Sequence, residues 1–199
     1  MKWLAITGGL GSGKSEVLRI LNQMGFPTVS ADDLARQAVS PGSQGLTSVT
    51  SAFGQNVLNV DGTLDRKKLG EIIFNDSKKR KILEGILHPL IQQMALAARE
   101  GYKKQGHKIA FYEIPLLFEK NLNANFDAVV VVATSEDNQI LRAETRDKLT
   151  KSQIADRLKS QIPLSEKVKS ADYVIPNDSD KSALEVEVKK CIEWINRKN

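Results

Sequence analysis

The sequence predicts a three-layer α/β fold: a five-stranded parallel sheet between helices, with an inserted helical subdomain. Three observations predict it. Apolar runs of strand length alternate with amphipathic helical segments, and such alternation gives parallel strands with right-handed crossovers. A glycine-rich stretch joins the first apolar run to the first helix. From residue 41 to residue 101, helical periodicity continues without a convincing strand, which indicates the inserted subdomain.

The first strand leads into the most informative stretch of the chain. Residues 3–7 form an unbroken apolar run, typical of a parallel strand covered on both faces. Gly8-Gly9-Leu10-Gly11-Ser12-Gly13-Lys14-Ser15 follows it and precedes a helical segment over 16–24. This stretch matches G-x-x-x-x-G-K-[ST] in the required context of strand, loop and helix. Glycines let successive backbone N–H groups turn toward an anion, and the helix start adds favourable dipole charge. The sequence therefore predicts a phosphate-binding loop and a P-loop NTPase type of fold.

The positions of this loop have separate expected roles in binding a nucleoside triphosphate. Lys14 should reach the β- and γ-phosphates, and the Ser15 hydroxyl should ligate the Mg²⁺ that bridges them. The backbone should surround the phosphates at Gly9, Gly11, Ser12 and Gly13. The alternative is a flexible glycine and serine turn that ends in Lys-Ser by chance. The flanking strand and helix argue against it.

The second strand, residues 27–30, is followed directly by two carboxylates, Asp32 and Asp33. Ligands bind at the carboxyl edge of an open α/β sheet, so both are candidates for chemistry. Asp also commonly caps a helix, and a helix is predicted over 34–39. We expect one of the two to cap that helix and the other to take part in the reaction.

The later elements follow from the same patterns. Apolar spacing predicts helices around residues 46–53, 69–73 and 82–87, and His88-Pro89 should interrupt the helical pattern. A histidine at such a junction is ordinarily a cap. The remaining strands are predicted at 109–112, 127–132 and 173–175, and a last helix at 182–197.

A charge-rich helical stretch at 139–160 contains Arg142 and Arg146. It is either solvated surface or the mobile cationic lid that phosphoryl-transfer enzymes often place after a sheet strand.

Composition excludes several classes of protein. Of 199 residues, 41% are hydrophobic and 27% charged, which argues against disorder. The net charge of +5 suits a nucleic acid or a polyanionic small substrate, but no basic tract interleaved with aromatic residues supports nucleic-acid binding. A single cysteine, Cys191, indicates a reducing compartment. Without a membrane-spanning run or a secretory leader, we expect a cytoplasmic protein that binds no membrane, with a monomer favoured.

Over essentially its whole length, the sequence resembles the dephospho-CoA kinase family. The matching motifs occur in order: Thr7–Ser15, Ser30–Arg36, Pro41-Gly42, Phe53-Gly54, Asp61–Arg66, Leu87–Ile91, Ile114–Glu119, Gln139–Asp147 and Ala171–Ile175. The resemblance implies transfer of the γ-phosphoryl of ATP, with Mg²⁺, to the ribose 3′-hydroxyl of dephospho-CoA. The products are ADP and CoA, and the reaction is the last step of coenzyme A biosynthesis.

The resemblance also implies roles for residues. Asp32 acts as the base or orienter of the attacking hydroxyl. Lys14, Arg142 and Arg146 stabilise the charge of the transition state, the two arginines as part of a lid at 139–160. The segment 45–100 becomes the CoA-binding subdomain. Within it, the family motifs make Arg66 and His88 candidates for contact with the substrate, beside the reading of His88 as a cap. Asn177 is expected near the adenine of ATP.

Three positions depart from the family pattern. Glu16 stands where threonine is usual, so only its backbone is expected to meet the phosphates and its side chain should point away. Ser30 replaces an aspartate, which leaves Asp32 as the sole matching acid and Asp33 as the cap candidate. Glu113 stands where aspartate is common and is expected either to reach Mg²⁺ through water or to pair with a neighbour.

Rival functions find less support in the sequence. Another nucleoside or nucleotide monophosphate kinase is disfavoured by the context of His88-Pro89 and of Pro115-Leu116-Leu117. A regulatory GTPase needs an Asn-Lys-x-Asp segment after a late strand, and residues 176–180 lack the lysine.

Overall fold

The structure, a computed structural model, describes residues 1–74, 76–145 and 150–198. The strands are β1 (Lys2–Gly8), β2 (Thr28–Ser30), β3 (Ile109–Glu113), β4 (Ala128–Ala133) and β5 (Tyr173–Pro176). The helices are α1 (Lys14–Gln23), α2 (Ala31–Ala38), α3 (Gln44–Phe53), α4 (Arg66–Phe74), α5 (Ser77–Lys104), α6 (Glu136–Thr145), α7 (Lys151–Lys159), α8 (Leu164–Lys169) and α9 (Lys181–Arg197). Two compact units result: Met1–Thr28 with Tyr102–Asn199, and Val29–Gly101.

The sheet has the strand order β2-β3-β1-β4-β5. β1 lies in the middle and pairs in parallel with β3 and β4, in a register that places Ile6 opposite both Glu113 and Val130. β5 pairs in parallel with β4. The predicted five-stranded parallel sheet is therefore confirmed. Because β1 is central, the loop that follows Gly8 emerges at the middle of the carboxyl edge of the sheet.

The core of the first unit explains why the outer helices take their positions. Leu4 and Ile6 of β1 are buried in one cluster with Val17 of α1 and with Val188 and Ile192 of α9. Each such side chain contributes about 1.5–3 kcal/mol when fully removed from water. The apolar faces of α1 and α9 are thus the faces that pack against the sheet.

The second unit has its own core, formed by helices. Its buried members are Val39, Leu46, Val49, Val57, Leu64, Leu69 and Leu83. Besides the residues of β2, the only strand-like feature described in this unit is one isolated bridge between Leu58 and Leu64. The predicted helices of this region are therefore present.

The prediction of a break at His88-Pro89 is wrong. α5 runs without interruption from Ser77 to Lys104 and carries Pro89 in its interior. A proline there costs about 3 kcal/mol. Leu83 and Ala95 are buried on either side of it, so the packing of α5 offsets part of that cost. His88 consequently lies inside a helix, where it caps nothing.

The lone cysteine lies in the core formed by α9. Burial of Cys191 raises the pKa of its thiol to about 12. At pH 8 only about one thiol in 10⁴ would then be the reactive thiolate. We expect a disulfide reagent at pH 8 to leave the folded protein unlabelled and to label one thiol per chain in denaturant. Rapid labelling of the folded protein would show that α9 opens readily.

Within the described ranges, every helix is too short or too polar to serve as a membrane span.

Candidate functional site

The phosphate-loop prediction falls on the connection between β1 and α1. Gly13 is the N-cap of α1 and has a φ of 93°, and Gly11 has a φ of 67°. Both values lie in the left-handed region, which favours glycine. α1 starts at Lys14, two residues before the predicted start, so Lys14 and Ser15 belong to its first turn. The backbone N–H groups of a first helical turn have no partners within the helix and can bind an anion.

Other elements of the same unit pack directly on this loop. A Cβ atom on Gly11 would lie 2.5 Å from the backbone oxygen of Gln139, which is buried in α6. A Cβ atom on Gly13 would collide with the side-chain amide of Asn177, which follows β5. That amide donates a hydrogen bond of 2.8 Å to the Ser12 carbonyl. Glycine is therefore required here by the packing of α6 and of the residue after β5, as well as by the loop's own conformation.

A substitution at Gly11 tests this packing. Gly11→Ala adds a methyl group at positive φ and against a backbone oxygen, so we expect unfolding free energy to fall by about 1–3 kcal/mol. ATP affinity should fall by about tenfold or more, as calorimetric titration would measure. Gly106→Ala is the control, because Gly106 has a φ of 84° and open space around it. Equal effects of the two variants would contradict a packing role for Gly11.

Three side chains of the loop bear on the predicted binding of phosphate and Mg²⁺. The Lys14 ammonium donates to the carbonyls of Gly9 at 2.9 Å and Gly8 at 3.3 Å. The Ser12 hydroxyl is buried, faces Gly8, and has no hydrogen-bond partner among the described residues. A buried hydroxyl in that condition fits a phosphate oxygen. The Ser15 side chain is exposed in the first turn of α1, and its hydroxyl oxygen is a ligand type that Mg²⁺ accepts.

Glu16 is held by cations outside the loop. Its carboxylate pairs with Arg19 at 2.7 Å and with Lys181 at 3.6 Å. The hydrogen bond from Arg19 is the largest cause that holds the pKa of Glu16 below its ordinary value. The side chain is therefore a neutralised anion, and the backbone N–H of Glu16 donates to the Gly13 carbonyl at 3.0 Å. Contact of that backbone group with a phosphate stays a prediction.

Arg142 joins the loop to the end of β5. Its guanidinium donates to the carbonyl oxygen of Asn177 at 2.9 Å and to that of Gly11 at 3.4 Å. Two of the predicted site residues, Arg142 and Asn177, thus meet at the phosphate loop. Arg146, the second arginine of the predicted lid, lies outside the described residues.

Two residues of this region were missed by the sequence analysis. Gln139 is buried against Gly9 and Gly11. The Asp178 carboxylate accepts hydrogen bonds from the Thr134 hydroxyl at 2.9 Å and the Ser135 N–H at 2.7 Å. The Ser135 N–H is the largest cause that lowers the pKa of Asp178. The sequence did offer a signal, since Gln139 lies one helical turn before Arg142 and Asp178 directly follows Asn177.

In the second unit, the structure corrects the assignment of the two aspartates. α2 begins at Ala31, with Ser30 as its N-cap, so Asp32 and Asp33 both lie in the first helical turn. Asp33 caps no helix: its carboxylate instead pairs with Arg36 at 2.9 Å. Carboxylates are favoured in a first turn by the helix dipole, which explains why two of them are tolerated there. Asp32 is exposed at this helix start.

The other predicted substrate contacts also lie in this unit. Arg66 is the first residue of α4 and is exposed, and His88 is exposed in the middle of α5. The roles of Asp32, Arg66 and His88 stay predictions.

Glu113 ends β3 in the first unit and is buried. Burial, aided by the charge of Glu113, raises the pKa of its neighbour Tyr112 to about 12. Among the described residues, no group of three or more His, Cys, Asp or Glu side chains could hold a metal ion. Contact of Glu113 with Mg²⁺ through water therefore stays a prediction.

Comparisons with known proteins agree on one family. The family model for dephospho-CoA kinase matches residues 2–183. The dephospho-CoA kinase of Bdellovibrio bacteriovorus is 42% identical over 195 residues, which cover 98% of this chain and 96% of that protein.

Solved structures give the same result. A crystal structure of a Thermus thermophilus protein is similar with a TM-score of 0.84 at 29% identity, covering 98% of this chain and 97% of that one. The dephospho-CoA kinase from Campylobacter jejuni has a TM-score of 0.72 at 34% identity, covering 97% and 96%. Because the family model matches residues 2–183 and a named relative is 42% identical over 98% of the chain, the chain belongs to the dephospho-CoA kinase family.

Proposed function

We propose that this protein transfers the γ-phosphoryl group of ATP to the ribose 3′-hydroxyl of dephospho-CoA, giving CoA and ADP. The observation that carries the proposal is the phosphate loop held by Arg142 and Asn177 in a chain that matches the family over residues 2–183. The hydroxyl oxygen bonds to the γ-phosphorus while the bond from that phosphorus to the β–γ bridging oxygen breaks. ADP leaves, and the hydroxyl proton passes to a base.

The loop residues bind and stabilise charge in this mechanism. Backbone N–H groups from Gly9 to Ser15, with that of Glu16, hold the phosphates, and Lys14 neutralises charge on the β- and γ-phosphates. Mg²⁺, held by Ser15 and by phosphate oxygens, would supply further charge neutralisation when bound. Arg142 already contacts the loop carbonyl of Gly11 and adds positive charge there. Arg146 is proposed to join it from the lid at 139–160.

Asp32 is proposed to receive the hydroxyl proton. A sugar hydroxyl is a weak nucleophile, so a carboxylate that accepts its proton and fixes its direction accelerates attack. Of the two carboxylates in this turn, Asp33 pairs with Arg36, so we assign the role of proton acceptor to Asp32.

The remaining assignments concern substrate recognition and the cell. The helical segment 45–100 is proposed to bind the CoA moiety, with Arg66 and His88 among its contacts, and Asn177 is proposed to lie near adenine. We further propose that the protein works as a cytoplasmic monomer and binds no nucleic acid. In that case, its exposed basic residues keep the protein soluble and attract anionic substrates.

The test uses purified protein with ATP, Mg²⁺ and dephospho-CoA. We expect one ADP for each 3′-phosphorylated product, with no comparable turnover of adenylate or of a nucleoside. Phosphorylation of adenylate or a nucleoside in preference to dephospho-CoA would contradict the proposal. Tight, strongly salt-dependent binding to duplex DNA would contradict the exclusion of nucleic acid.

A further inference from the structure

A fully buried lysine, Lys167, lies outside the family motifs and pairs with the last residue of one of them, Glu119. Lys167 in α8 has no exposed surface, and its ammonium pairs with the Glu119 carboxylate at 2.8 Å. The same ammonium donates to the carbonyl oxygen of Pro115 at 3.2 Å. Lysines are almost never fully buried unless they are paired, so this pair is a built feature of the first unit.

The Pro115 carbonyl connects this lysine to the strand that carries the phosphate loop. The Thr7 hydroxyl donates to the same oxygen at 3.3 Å. Thr7 is buried and directly precedes Gly8, the last residue of β1. One carbonyl oxygen thus joins the base of the loop to α8.

The other half of the pair reaches the end of the predicted lid. The Glu119 carboxylate also accepts a hydrogen bond of 2.9 Å from the backbone N–H of Ile162, which lies between α7 and α8. Burial by itself would raise the pKa of Glu119, but the hydrogen bonds from Lys167 and Ile162 outweigh it and the pKa lies below its ordinary value. The carboxylate is therefore charged at neutral pH and can hold both donors.

Stability alone does not explain a charged pair at this place. Removing two charges from water costs free energy that their attraction only partly returns, and apolar replacements of similar volume are often as stable. What an ion pair adds is a fixed geometry, because Lys167 and Glu119 accept few alternative partners once buried.

We propose that Lys167 and Glu119 are positioning residues for phosphoryl transfer. They hold Ile162, where the chain leaves the lid, close to Pro115 and to the base of the phosphate loop. The inference rests on the proposed function. With the pair removed, the lid would lose its downstream attachment, and charge stabilisation in the transition state would suffer more than binding of ATP.

The test compares two lysine–glutamate pairs whose lysines both lie on α8. The single variants Lys167→Met and Glu119→Gln each leave the remaining charged partner without its opposite charge. The double variant Lys167→Met/Glu119→Leu, which leaves no unpaired charge, is therefore the decisive one. The control is Lys169→Met/Glu166→Gln. That pair has the same separation of 2.8 Å, but its side chains are 71% and 54% exposed.

We expect the double variant to lower kcat for dephospho-CoA by about tenfold or more and to change the Kd for ATP less than about threefold. The Ile162 amide should also exchange hydrogen faster, a readout that does not depend on the substrate. The control should match wild type in all three. Wild-type kcat in the double variant would overturn the inference, and so would equal losses of kcat and ATP affinity. Absence of turnover in wild type would instead count against the proposed function.

Discussion

Lys14→Ala is expected to lower kcat/KM for dephospho-CoA phosphorylation by about 10³-fold and to weaken ATP binding as well. Lys14 belongs to the first turn of α1, and its ammonium lies within the loop, 2.9 Å from the Gly9 carbonyl. A cation in that place attracts the phosphates in the ground state and gains more as charge shifts toward the leaving group. Steady-state kinetics and calorimetric titration with ATP measure the two effects separately.

Lys189→Ala serves as the control for loss of a positive charge. Lys189 is an exposed residue of α9, and its removal should leave both kcat/KM and ATP affinity near wild type. If Lys14→Ala kept wild-type ATP affinity and turnover, the loop would not be the nucleotide site, and the proposed function would lose its main support.

Asp32→Asn is expected to lower kcat by about 10²- to 10⁴-fold while ATP affinity stays largely intact. The substitution keeps the size of the side chain and removes its ability to accept the hydroxyl proton. Such a fall in kcat with little change in binding is the signature of an interaction made in the transition state. Turnover is measured with saturating ATP and dephospho-CoA, and ATP binding by titration.

Asp33→Asn is a closely matched control for this variant. Both aspartates lie in the first turn of α2, so each substitution removes one favourable charge from the same helix dipole. The Asp33 carboxylate pairs with Arg36. Because the pair is exposed, Asp33→Asn should lower the free energy of unfolding by less than about 1 kcal/mol and leave turnover unchanged. A similar loss of kcat in both variants would mean that Asp32 has no specific role.

The contacts around the loop give Asn177 and Arg142 a second kind of importance. Both hydrogen-bond to loop carbonyls, those of Ser12 and Gly11 respectively. A hydrogen bond to a loop carbonyl fixes the orientation of its peptide group, so that the neighbouring N–H groups remain able to face an anion. These residues therefore support the shape of the loop in addition to the contacts with ATP proposed for them.

Local pattern was enough to predict much of this molecule. The apolar run before Gly8, the glycine spacing and the helix after it are short-range features, and they predicted the loop and the parallel sheet. The last helix was likewise predicted, at 182–197, and α9 places Leu184, Val188 and Ile195 in the core. Periodicity succeeds in such cases because the residues that determine each element lie within it.

Only the tertiary structure decided where local preferences yield to packing. Pro89 lies inside α5 between the buried residues Leu83 and Ala95, and Asp33 pairs with Arg36 because α2 begins at Ala31. The buried pair of Lys167 and Glu119 joins positions 48 residues apart in the chain, a separation over which no periodic pattern carries information. The sequence alone thus determined most of the helices and strands and the position of the glycine-rich loop. The long-range contacts determined what holds that loop, since the free energy of a buried contact depends on partners that the local sequence does not contain.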